Sequence, residues 1–155
     1  METFRLAKTL YINDLSGEGA RKWGGRWNSV GVPVLYTGSS MALCILEFFV
    51  NLQPKFSPPK DSCSLAKIYI PDNSFTEILL EDLPKNWKDS AAAKILFEIT
   101  EKWIRENKYL VMKAPSAIVE QECNLLINPS HHLFKEVRIL DIKPYNFDER
   151  MFITN

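Results

Sequence analysis

Histidine is nearly missing from this chain: two residues in 155, and they are the neighbours His131 and His132. With no imidazole placed beside a serine, a hydrolase triad is disfavoured. Both histidines follow Asn-Pro-Ser and are expected on a surface loop. Cysteine is scarce too. Cys44, Cys63 and Cys123 are far apart and include no C-x-x-C pair, so no metal site is expected. Cys44 and Cys123 sit in apolar runs, where a reduced thiol packs as a small hydrophobe. Charge of one sign is lacking as well, since Lys+Arg and Asp+Glu both number 19. No global field attracts nucleic acid or acidic lipid, which argues against a nucleic-acid binder and an RNA-cleaving enzyme. There is no long apolar run. The most apolar segment, Met41 to Val50, is too short to span a bilayer and is broken by Glu47. The first residues, METFRLAKTLYIND, hold no apolar signal-peptide core, so a cytoplasmic location is expected. No repeat or low-complexity tract is present.

What is there reads as one globular domain over residues 1–155, with 46% apolar and 25% charged residues. TFRLAK alternates as a short strand, and GEGARKWGG is a loop or short helical turn. Val34 to Thr37 is a buried strand, after which Ser39 or Ser40 caps a helix running to about Asn51. The polar, proline-rich stretch Gln53 to Ser62 is a loop and a candidate lid at a cleft edge. SLAKIYIP and YLVMKAPS are strands that stop at Pro71 and Pro115. Between them, NWKDSAAAKILFEITEKWIRENK is the clearest helix: Ala92, Ile95, Leu96, Ile99 and Trp103 share a face, Asp89 can cap, and Glu98 precedes Lys102 at i,i+4. LFKEVRILDI is a last strand. Strands and helices mix without regular βα alternation, so the expected class is α+β, a mixed or antiparallel sheet with flanking helices.

Three features carry chemistry. In GGRWNSVGVPVLYTGSS, Gly24 to Ser40, Arg26 has no acidic residue nearer in the chain than Glu18 and Glu47. Glu47 is the second. On a helix its neighbours are Leu43, Cys44 and Val50, an apolar setting in which a carboxylate needs a partner. It is either a structural salt bridge to Arg26 or Arg5, or a working carboxylate aimed into a cleft. Tyr36, at the end of the preceding strand, is placed to line such a cleft. The third feature is APSAIVEQECNLLINP. Asn124 and Asn128 are read as one helical turn apart, ended by Pro129, with both amides on one face. Ser116 follows a proline at a strand end, where a turn or cap serine is the common fate.

FRLAK, then DLSGEGARKWGGRWNSVGVPVLYTGSSMALCILE, then APSAIVEQECNLLINPSHHLFKEVRILDIKPYNFDERMF, together resemble the RES domain, named for its Arg, Glu and Ser. The resemblance covers nearly the whole chain and keeps the family's motif order. It departs at Glu120, where a proline is expected, and at Leu125, where an aromatic is usual. It implies a fold similar to ADP-ribosyltransferase toxins and a toxin role beside an Xre-like antitoxin. The implied substrate is NAD+. Carried over, the catalytic set falls on Arg26, Tyr36, Glu47 and Ser116. Gly25, Trp27, Asn28, Asn124 and Asn128 are the NAD+-binding residues expected around it.

The residue chemistry agrees with that expectation. A guanidinium beside glycines suits a bidentate approach to a pyrophosphate. Breaking the nicotinamide–ribose bond develops oxocarbenium-like charge, which Glu47 can stabilise while hydrogen-bonding the ribose hydroxyls. Tyr36 can wall the nicotinamide ring, and Ser116 can bond its carboxamide or the ribose. Nicotinamide leaves readily, so no metal or separate cofactor is expected. Three readings stay open: an NAD+ glycohydrolase or phosphorylase toxin, an ADP-ribosyltransferase acting on a protein, and a non-catalytic partner-binding member. Expected partners are NAD+ and the Xre-like antitoxin, with no direct nucleic-acid or membrane contact and a homodimer as a candidate assembly.

Overall fold

The computed structural model describes residues 1–52 and 58–152. Among these residues seven strands form one sheet in the order β4-β5-β6-β2-β1-β3-β7. The strands are β1 (Glu2–Lys8), β2 (Leu35–Gly38), β3 (Cys63–Tyr69), β4 (Phe75–Glu77), β5 (Val111–Pro115), β6 (Cys123–Ile127) and β7 (Arg138–Tyr145). Every neighbouring pair is antiparallel except β4 with β5, which makes the sheet mixed, as the sequence implies. Three α-helices accompany it among the described residues: α1 (Glu18–Trp23), α2 (Met41–Val50) and α3 (Ala93–Glu106).

Helices α2 and α3 carry local signals. Ser40 caps α2 by accepting the Leu43 N–H at 3.1 Å. The Ser40 hydroxyl also donates to Glu122 Oε2 at 2.5 Å, tying the helix start to the residue before β6. Helix α3 ends at Asn107 in the left-handed conformation, whose N–H returns to the Trp103 carbonyl. Its buried residues are Leu96, Thr100 and Trp103, four and then three positions apart, which is one stripe of a helix.

Strands β5 and β6 are covered on both faces. Val111, Leu125 and Ile127 enter one apolar cluster with Leu35, Ala66 and Ile68; Met112, Ala114 and Leu126 enter another with Trp27, Trp87, Leu96 and Trp103. Period-two alternation sends successive side chains to opposite faces. A third cluster joins Cys44 of α2 to Leu6 and Cys63.

One irregularity positions the site. Strands β1 and β3 pair along seven register positions, Glu2↔Tyr69 to Lys8↔Cys63. Strands β1 and β2 share one, Phe4↔Gly38. Beyond that pair the two strands part, and the residues on either side of the gap, Arg5 to Lys8 and Tyr36 to Thr37, line a cleft.

Several expectations need correction. Asn124 and Asn128 do not share a helical turn: Asn124 lies in β6 and Asn128 just beyond it. A short apolar run buried on both faces has no alternation to reveal the strand. The last strand starts at Arg138, because residues His132–Glu136 form a 3-10 turn, and it runs on to Tyr145. Ile95 is 44% exposed and falls outside the α3 stripe. Asp89 makes no side-chain cap. The i,i+4 pair on α3 is Lys102 with Glu106 at 3.9 Å, in place of Glu98 with Lys102. His131 is buried rather than on the surface, its Nδ1 accepting the Leu133 N–H. In the lid candidate, residues 53–57 lie outside the described set. Residues 58–62 are tied to the residues just after β1 and β7, with the Ser62 carbonyl accepting from the Thr9 N–H and Asp61 bonded to Asn146, and do not line the cleft.

Candidate active site

The cleft at the β1–β2 gap has a volume of roughly 1260 Å³. Its walls come from β1, β2, α2, the loop Gly24 to Trp27, the segment Lys88 to Ser90, and Ala117, Ile118 and Asn124.

On one wall, α2 carries Glu47 into the cleft. Ser116 Oγ donates to Glu47 Oε1 at 2.9 Å, and Asn124 Nδ2 donates to the same oxygen at 2.8 Å. Ser116 is fully buried, and its oxygen accepts the N–H groups of Ile118 and Val119 at 3.1 and 3.0 Å. That serine therefore caps the turn after β5 and orients the carboxylate at once. Its hydroxyl hydrogen goes to Glu47. Glu47 Oε2 has no hydrogen-bond partner among the described residues. Neither arginine forms an ion pair with Glu47 within the described residues, which overturns the structural salt-bridge reading.

Arg26 stands on an opposing loop, exposed, with Nη1 donating to the Lys88 carbonyl at 2.8 Å. A neutral carbonyl leaves the charge uncompensated, so the guanidinium keeps its attraction for an anionic ligand. The carbonyl comes from a segment that is itself tethered, because Lys88 Nζ meets Glu120 Oε1 at 2.7 Å. Glu120 is one of the two positions where the sequence departs from the family pattern.

Behind Arg26 the loop is held by Tyr36 and Asn28. The Tyr36 hydroxyl donates to Asn28 Oδ1 at 2.8 Å and accepts the Trp27 N–H at 3.1 Å. Asn28 Nδ2 reaches the carbonyls of Ala20, Ser29 and Val32. Burial pushes the Tyr36 phenol well above its ordinary range; the charge of Arg26 acts against that and the charge of Glu47 with it. A neutral phenol fits its part as donor to an amide oxygen. Gly25 has to be glycine, since a Cβ there would lie 2.6 Å from the Tyr36 oxygen. Trp27 is 1% exposed, tilted against Trp87 at 5.8 Å. Beside Glu47, the Cys44 thiol donates to the Phe4 carbonyl, and burial pushes it up to about 12, so it is a packed thiol rather than a nucleophile.

The structure thus brings Arg26, Tyr36, Glu47, Gly25, Trp27 and Asn124 to one cleft, with Ser116 directly behind Glu47. Two expected binding residues are corrected. Asn28 is fully buried with both its amide atoms engaged, and Asn128 is turned to Asn107 and Ser130. Sequence reasoning missed the Lys88 carbonyl. A main-chain acceptor 62 positions away leaves no residue-type signal.

A small α+β protein whose sheet splits between two strands, with a guanidinium on one side of the gap and an oriented carboxylate on the other, is the class these features define. The chain belongs to the RES domain family, whose model matches residues 3–148. It is 34% identical over 148 residues to the Prs ADP-ribosylating toxin of Sphingobium sp. (strain YBL2), covering 94% of this chain and 91% of that protein. It is 31% identical to a Toxin Res of Yersinia enterocolitica, covering 95% of each. Its fold matches a chain from the crystal structure of the M. tuberculosis MbcT-MbcA toxin-antitoxin complex with a TM-score of 0.74 and 16% identity, over 94% of this chain and 84% of that one. No helix among the described residues is long and apolar enough to cross a membrane.

Proposed function

We propose that this chain is an NAD+-consuming toxin of a toxin–antitoxin pair, which cleaves the nicotinamide–ribose bond. One observation carries the reading: Glu47 Oε1 accepts from both Ser116 and Asn124, Oε2 has no partner among the described residues, and Glu47 lines a cleft that Arg26 also lines. Oε2 accepts a hydrogen bond from a ribose hydroxyl and sits where positive charge grows at the anomeric carbon. Nicotinamide departs with the electron pair of the C–N bond and becomes a neutral pyridine. An oxygen nucleophile, water or phosphate, then bonds to the carbon and releases its proton to solvent. Arg26 binds the pyrophosphate, and the Tyr36 ring walls the nicotinamide. Fixed charge aimed at a developing cation in a desolvated site is the largest contribution such a cleft offers.

A second reading, transfer of ADP-ribose to a protein, is favoured by the name of the Sphingobium relative. Both use the same bond cleavage and differ in the nucleophile. The antidote on either reading is an Xre-like partner, which restrains a chain that would otherwise exhaust a shared cofactor. Incubation of the purified protein with NAD+, with and without phosphate, followed by identification of both products, tests the proposal. Free nicotinamide with ADP-ribose or its 1″-phosphate is the expected result; intact NAD+ in both arms removes the glycohydrolase and phosphorylase reading and leaves transfer to a protein acceptor.

A further inference from the structure

Two aromatic side chains at the outer part of the cleft take no part in the chemistry above. Trp23, the last residue of α1, is 84% exposed, and Tyr11, ending the 3-10 turn after β1, is 55% exposed. Both line the cavity that holds Arg26, Tyr36 and Glu47. Single exposed apolar residues are ordinary on protein surfaces. Two rings on the lining of one charged cleft, neither stacked on another ring among the described residues, are a different case.

The backbone that presents them is fixed. Arg5 Nη1 donates to the carbonyls of Tyr11, Ile12 and Asp14, at 3.3, 3.2 and 2.6 Å, and so holds the turn that carries Tyr11. After Trp23, the Gly24 N–H returns to the Ala20 carbonyl, and the Gly31 N–H reaches the Arg21 carbonyl, both at 2.8 Å. The indole is therefore exposed on an ordered element, where a two-torsion aromatic binds a flat ligand at little entropic cost.

We infer that Trp23, together with Tyr11, is the subsite for the adenine ring of the substrate, an inference that rests on the proposed use of NAD+. The ligand carries two flat rings joined through a pyrophosphate. The cleft offers a half-buried ring, Tyr36, beside the carboxylate, and an exposed ring, Trp23, three positions before Arg26. The ring that leaves must lie at the Glu47 end, so the other ring takes the outer position. A purine stacks on an indole face, and the contact is made equally in the bound substrate and at the transition state, so it sets affinity rather than rate.

The test is calorimetric titration of the wild-type chain and the Trp23→Ala variant with ADP-ribose, which has the adenine but no nicotinamide, and with nicotinamide mononucleotide, which has the reverse. The substituted residue is on the surface, so the variant keeps its fold, checked by circular dichroism. Roughly tenfold weaker ADP-ribose binding in Trp23→Ala, with the mononucleotide affinity unchanged and Trp23→Phe close to wild type, is the expected result. Equal ADP-ribose affinity in wild type and Trp23→Ala, an equal loss for both ligands, or no ADP-ribose binding by the wild-type chain would overturn the inference. Because no turnover is needed, a chain that fails to cleave NAD+ would sink the proposed reaction while leaving this titration decisive.

Discussion

On the Glu47 side of the cleft, helix α2, the turn after β5 and strand β6 bring three polar side chains into one bonded group, with both donors on one carboxylate oxygen. On the Arg26 side a glycine-flanked loop leaves the guanidinium exposed, held by a single main-chain carbonyl. The first wall is built on regular elements and fixes an atom in place. The second, supported from behind by Tyr36 and Asn28, leaves its charged group room to meet a ligand. Fixed geometry is what transition-state stabilisation requires, while an adaptable cation suffices for binding. The walls should then separate in kinetics, the Glu47 wall governing kcat and the Arg26 wall governing KM.

The hardest blow to that division is Glu47→Gln. The amide keeps the shape and removes the charge, so NAD+ turnover should fall by about 10²-fold or more with NAD+ affinity retained. A folded variant with unchanged turnover would leave the carboxylate without a catalytic part. Ser116→Ala comes next. It removes one of two donors to Oε1 and frees the Ile118 and Val119 N–H groups, so kcat should drop roughly tenfold or somewhat more while KM moves little. A rise in KM alone would place Ser116 on the substrate instead.

On the other wall, Arg26→Lys keeps the charge and loses the fork. NAD+ affinity measured by titration should weaken by about tenfold, with kcat nearly intact. Equal affinity in both forms would take Arg26 out of the pyrophosphate site. The smallest effect on catalysis belongs to Tyr36→Phe. The ring remains to wall the nicotinamide, but Asn28 Oδ1 and the Trp27 N–H lose their partner, so thermal or denaturant unfolding should show a loss of about 1–3 kcal/mol. Wild-type stability in that variant would mean the hydroxyl does not hold the loop.

The same contrast governs what was legible in the sequence. Helix α2 announces itself through Ser40 and an apolar run, and Glu47 through being the one charge in it. Arg26 stands out for lacking acidic residues nearby in the chain, and among the described residues it forms no salt bridge. Harder to read is β6: a central strand buried on both faces shows no alternation, so the sequence suggests a helix for Asn124, whose amide in fact reaches Glu47 from a strand. The sequence offers Ser116 to a ligand, yet its hydrogen is taken by Glu47, a long-range choice that no local pattern encodes. The split between β1 and β2 depends on where pairing stops after Phe4↔Gly38, which strand propensity does not specify.

The claim that Ser116 acts only by holding Glu47 is the one on which the division between the walls depends. It is tested by introducing Ser116→Ala into both the wild-type and the Glu47→Gln chains and measuring NAD+ turnover at saturation. The account predicts a clear loss in the wild-type background and almost none once the carboxylate is gone. The same fractional loss in both backgrounds would show that the serine works independently of Glu47, and would contradict it.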